Sequence, residues 1–208
     1  MDTFVLILEM IGTVAFAASG AIVAVRKRMD IFGVAVLALV TAVGGGMIRD
    51  VLLGVTPPAT FRDPIYAVTA IVVSLVVFIR PVRHYLTGTH AAYQRAMLVM
   101  DSLGLGVFTA VGVSLAYAAQ PKAGMFLSTF VGVLSGVGGG ILRDMLAGDT
   151  PYIFIKHIYA CASLAGALAC ALLWRQAGQA YAMIIGAAVV VLIRMLSAIY
   201  KWNLPRAD

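Results

Sequence analysis

The chain has 208 residues, 62% of them hydrophobic and only 12% charged, with a net charge of +6. A soluble domain cannot bury that much apolar surface, because its outside must meet water. The basic residues fall in short clusters between apolar stretches, which fits a polytopic membrane protein and excludes a nucleic-acid-binding face.

A helix that crosses a bilayer needs about 20 mostly apolar residues. The sequence predicts seven such spans, at residues 4–25, 31–53, 61–79, 96–118, 123–147, 154–174 and 179–200. Lipid offers the backbone no hydrogen-bond partners, which selects helices over open sheet. The connections are short, so residues 1–208 read as a single all-α transmembrane domain. In span one, Ala15-Phe16-Ala17 resembles a signal cleavage site, but the preceding residues carry Asp2 and no Lys or Arg, the wrong leader. Span one is therefore kept as structure.

Spans two and five carry one cassette twice. Gly44-Gly45-Gly46-Met47-Ile48-Arg49-Asp50 returns as Gly138-Gly139-Gly140-Ile141-Leu142-Arg143-Asp144. Each glycine weakens a helix by about 1 kcal/mol relative to Ala, and charged residues at membrane depth are costly too. The likeness spreads beyond the cassette. Glu9, Gly12, Phe16 and Gly20 recur as Asp101, Gly104, Phe108 and Gly112, and Ile65-Tyr66-Ala67 recurs as Ile158-Tyr159-Ala160. Residues 4–90 and 91–175 thus read as two repeats of three spans, followed by a seventh helix and short tail at 176–208. Three is odd, so the second repeat enters the membrane from the opposite side, giving an inverted-topology pair.

Orientation follows from the basic residues. With the N-terminus outside, the inside connections hold Arg26, Lys27, Arg28, Arg80, Arg83, Arg95, Lys156, Lys201 and Arg206, and the outside only Arg62, Lys122 and Arg175. That asymmetry satisfies the positive-inside rule and leaves the C-terminus cytoplasmic.

The triple glycines predict a kink or unwound turn in spans two and five. Carbonyls freed there must be buried in protein or line a watery cavity. The plainer alternative is close helix packing. Adjacent residues do not share a helix face, so Arg49-Asp50 and Arg143-Asp144 are not expected to satisfy themselves. Depth matching pairs Glu9 with Arg49 near one membrane face and Asp101 with Arg143 near the other. A competing reading has Asp50, Asp144 and Arg194 snorkel to the interface. Gly12, Gly20, Gly104 and Gly112 read as packing positions. Pro57, Pro58 and Pro151 follow the cassettes as ordinary helix terminators, and Trp174, Tyr181 and Trp202 fit an interfacial belt.

Other chemistry is thin. Cys161 and Cys170 are nine residues apart on one helix, about 13 Å, too far for a disulfide. His84, His90 and His157 lie in or near polar connections and form no zinc pattern with the cysteines. No catalytic set, phosphate loop or cofactor motif is present, so a non-enzyme is expected.

Two three-span repeats bearing Gly-Gly-Gly-x-x-Arg-Asp, with a seventh helix, resemble the trimeric intracellular cation (TRIC) channel family in its prokaryotic branch. The resemblance covers about residues 4 to 200. It implies a homotrimer with one pore in each protomer and helices two and five kinked beside that pore. It also implies passage of monovalent cations, chiefly potassium with sodium. Carried onto this chain, the kink positions are Gly44, Gly45, Gly46, Gly138, Gly139 and Gly140. The adjacent charges are Arg49, Asp50, Arg143 and Asp144. Potassium or sodium would pass near the glycine carbonyls, with membrane lipid as the other partner and no nucleic acid. A prokaryotic source implies the inner membrane, since the outer one takes barrels. Related bacterial sequences have also been described as possible glycine transporters. A small-solute transporter therefore stands as the alternative, with Arg holding a carboxylate and Asp an ammonium.

Overall fold

In the computed structural model, described over residues 3–120, 124–155 and 158–202, the long apolar runs are helices. The order is α1 (Thr3–Arg26), α2 (Ile31–Leu52), α3 (Ala59–Arg62), α4 (Ile65–Phe78), α5 (Arg80–Thr87), α6 (His90–Ala119), α7 (Met125–Leu146), α8 (Tyr152–Ile155), α9 (Ala160–Ala177) and α10 (Gln179–Ile199). Six of these are long and apolar enough to cross a membrane, and there are seven if the bent pair α4 and α5 counts as one span. Asp2, Lys122, Lys156, His157 and Arg206 lie outside the described residues.

Helix starts follow ordinary capping chemistry. Asp30 accepts from the Gly33 N–H at 2.7 Å ahead of α2, and Thr89 accepts from the Ala92 N–H at 3.1 Å ahead of α6. The lipid-facing sides stay apolar: along α4, Val68, Ile71, Val72, Leu75 and Val76 are exposed while Ala70, Ser74 and Val77 are buried.

Helices α1, α2, α6 and α7 form the centre, α4 packs on α1 and α2, α9 packs on α7 and α6, and α10 lies against α6 and α9. The central contacts are reciprocal. Phe16 and Phe108 stack with ring centroids 5.4 Å apart. A Cβ on Gly12 would strike Phe108, and one on Gly104 would strike Phe16. A Cβ on Gly45 would lie 2.3 Å from the Ser135 carbonyl oxygen, and one on Gly139 2.2 Å from that of Thr41. The glycines are what let α2 and α7 cross backbone to backbone.

Three expectations change here. Helix runs uninterrupted through both glycine triplets, so neither is an unwound turn in this conformation. In a continuous helix the carbonyls are taken up by amides four residues on, which leaves Gly45, Gly138 and Gly139 as packing positions. A sharp bend separates two other elements: α4 and α5 meet at 81°. Span three is accordingly only the 14 residues Ile65–Phe78, about 21 Å long, because Pro64 precedes it and the Arg80-Pro81 start of α5 turns a polar helix away. Span six likewise begins at Ala160, with Tyr152–Ile155 a separate short helix.

The two cysteines are unpaired, Cys161 exposed and Cys170 buried. His84 and His90 are exposed. Lys27, after α1, pairs with Asp149, after α7, which puts those two helix ends on the same end of the molecule.

Candidate functional site

The six charged residues singled out in the sequence gather into two buried nodes. In the first, Arg49 Nη1 donates to Glu9 Oε1 at 3.3 Å and Arg49 Nε to Asp50 Oδ1 at 2.8 Å. In the second, Arg143 Nη1 donates to Asp101 Oδ1 at 2.5 Å and Arg143 Nε to Asp144 Oδ1 at 2.8 Å. Each arginine therefore bridges a carboxylate on the first helix of its half and the aspartate beside it.

The bridge between neighbours corrects the expectation that Arg-Asp pairs would not satisfy themselves. The two sides of a guanidinium offer separate donors. The long Arg stem lets one side fold back on residue i+1 while the other reaches across to another helix. Snorkelling is also excluded: Asp50 is 4% exposed, Asp144 2% and Arg194 5%.

Each aspartate has a second duty. Asp50 Oδ2 accepts the Ala59 N–H that opens α3, and Asp144 Oδ2 accepts the Tyr152 N–H that opens α8, both at 2.8 Å. The cassette thus ties its own helix end to the start of the next element. Tyr152 packs its ring 5.2 Å from the Arg143 guanidinium, and burial raises its phenol above the ordinary value.

Four partners were not assigned from the sequence. Tyr66 donates to Glu9 Oε2 at 2.6 Å. Ser19 accepts from Arg143 Nη1. Tyr159 is buried beside Gly140, and Arg194 stacks on the Tyr159 ring at 4.9 Å. A signal for the tyrosines was present, since both sit in the repeated Ile-Tyr-Ala triplet. Ser19 and Arg194 have no such mark.

A cavity of about 310 Å³ reaches the first node between Glu9, Arg49, Asp50, Leu53, Leu115 and Ala118. A separate void of only about 10 Å³, sharing Glu9 and Arg49 with it, is lined by Thr13, Ala42, Val43, Gly46 and Phe108. Of the six triplet glycines, Gly46 is the one that lines this void. Gly44 faces the Leu142 side chain and Gly140 the Tyr159 hydroxyl. A second cavity of about 450 Å³ reaches Arg194, with Gln94, Arg95 and Ser197 on its wall.

An α-helical membrane protein with two matched Arg–carboxylate nodes is the class this geometry defines. A family model described as "Glycine transporter" matches residues 6–81 and 98–175. The chain is 40% identical over 202 residues to the inner membrane protein YadS of Escherichia coli K12, covering 95% of this chain and 92% of that one. A solved TRIC cation channel is 37% identical, covers 97% of this chain and 96% of that chain, and superposes with a TM-score of 0.83. The TRIC orthologue of Rhodobacter sphaeroides is 34% identical, covers 97% of this chain and all of that one, and superposes at 0.87. The chain belongs to the bacterial TRIC-like membrane protein family.

Proposed function

We propose that the chain conducts monovalent cations, chiefly potassium with sodium, through a pathway inside each protomer of a homotrimer in the bacterial inner membrane. The observation that carries this reading is the cavity that reaches the first node, next to a void of only about 10 Å³ at Gly46 and Phe108 that we read as the constriction. One arginine faces two carboxylates there, Glu9 and Asp50, leaving a formal charge of −1 on the approach. That removes the objection that a basic residue repels a cation. The two repeats run in opposite senses, the N-terminus faces outside, and the first node faces the outer solution. The likeness to solved cation channels supports the same reading. Opening widens the constriction by moving α2 against α6.

Small-solute transport is the second reading, favoured by the description of the matching family model. Inverted repeats suit it as well. Against it, Arg49 and Arg143 each already hold two carboxylates, so a substrate carboxylate would have to compete with them. Reconstitution in planar bilayers decides the matter. Unitary potassium currents are expected. Saturable glycine counterflow without current steps overturns conduction in favour of transport.

A further inference from the structure

The two nodes are built from matching residues yet stand in different states. At the first, the Tyr66 hydroxyl is bonded to Glu9. At the second, the matching hydroxyl of Tyr159 and the Oδ2 of Asp101 are both buried and both without a hydrogen-bond partner. The Tyr159 hydroxyl lies over Gly140, where a Cβ would come within 2.6 Å of it. At the matching Gly46 a Cβ would meet only the Arg49 guanidinium, at 3.6 Å. The tyrosine thus occupies the glycine in one half and the carboxylate in the other.

Two features break the symmetry. Asp101 is one methylene shorter than Glu9. And α10, which has no counterpart in the first half, places Arg194 on the Tyr159 ring. Arg194 is nine-tenths buried, its Nε donates no hydrogen bond, and it faces the 450 Å³ cavity, so it has room to withdraw. An unbonded buried hydroxyl and an unbonded buried carboxylate oxygen each favour rearrangement. A stacked guanidinium opposes it.

We propose that Arg194 is a latch: it pins Tyr159 on Gly140, and its withdrawal lets Tyr159 leave the glycine and close on Asp101 as Tyr66 closes on Glu9, freeing the second end of the pathway, while the constriction at the first end opens separately by the movement of α2. The first node displays the released arrangement, and the second displays the held one. Packed elements with two discrete arrangements are how such switches work. The flux readout below rests on the conduction reading; the exchange readout does not.

The test compares Arg194→Gln, Gly140→Ala and Gly46→Ala in liposomes loaded with potassium, with hydrogen exchange measured on the peptide around Tyr159. Arg194→Gln and Gly140→Ala are expected to raise both potassium efflux and exchange several-fold, while Gly46→Ala, which lies at the other node, leaves the exchange at Tyr159 unchanged. Arg194→Lys, which keeps the charge without the planar stack, behaves like Arg194→Gln. In a Tyr159→Phe background the Gly140→Ala effect disappears, because the added methyl no longer meets a hydroxyl. Equal exchange at Tyr159 in Gly140→Ala and Gly46→Ala overturns the latch, as does a Gly140→Ala effect that survives Tyr159→Phe. Should Gly140→Ala not fold, Arg194→Gln with unchanged exchange overturns it. Wild type and released variants that are all silent in flux but show the exchange pattern overturn conduction and leave the latch standing.

Discussion

Arg49 and Arg143 show how one side chain stabilises two acids in a medium that solvates none of them. Arg143 is fully buried, and its removal strands Asp101 and Asp144 without a cation. Breaking a buried pair from one side costs about 3–5 kcal/mol. Arg143→Gln is therefore expected to lower the melting temperature in detergent sharply. Arg49→Gln should cost less, since the adjoining 310 Å³ cavity lets water reach Glu9 and Asp50. Intrinsic fluorescence melts of the two variants check the order. The cross-helix pairs were legible from matched depth alone. The contact between adjacent residues was not, because helical periodicity says where a Cβ points and nothing about how far a guanidinium folds back. Tyr159 was marked by the repeated Ile-Tyr-Ala triplet and Arg194 by nothing, and the role of neither was legible, because a contact between two buried side chains is set only once their neighbours are known.

Between elements, the crossing of α2 and α7 depends on two glycines whose added methyls would meet backbone rather than flexible side chains. Gly45→Ala and Gly139→Ala are each expected to push the helices apart and lower thermal stability. The double variant should lose less than the sum, because one separation relieves both clashes and contacting sites are not additive. Gly44→Ala is the control, since its added methyl would meet only the end of Leu142. Melting the three single variants and the double variant in parallel tests this. The sequence marked the triplets as special without saying why. A break and a close crossing both need the missing Cβ, and only the opposite helix decides between them. The bend between α4 and α5 escaped notice because Ile79 continues the apolar run as far as Arg80-Pro81.

For the whole molecule, the helical class, six of the seven spans and the doubled cassette were readable, since hydrophobic length and repetition survive in any window of the chain. What α10 does was not readable, because a helix that occurs once offers no copy for comparison. The reciprocal core has a further consequence for chain continuity. Phe16 stacks on Phe108, Gly12 receives Phe108, Gly104 receives Phe16, and Gly45 and Gly139 trade places against Ser135 and Thr41. None of these contacts needs the covalent link between the halves, which passes through the exposed Gly88 and Thr89. A cut between those two residues leaves the Thr89 cap on α6 intact. Coexpressed fragments 1–88 and 89–208 are expected to associate and co-purify through a tag on either one. Failure to co-purify would show that the peptide bond, and not the shared aromatic centre, keeps the two halves together.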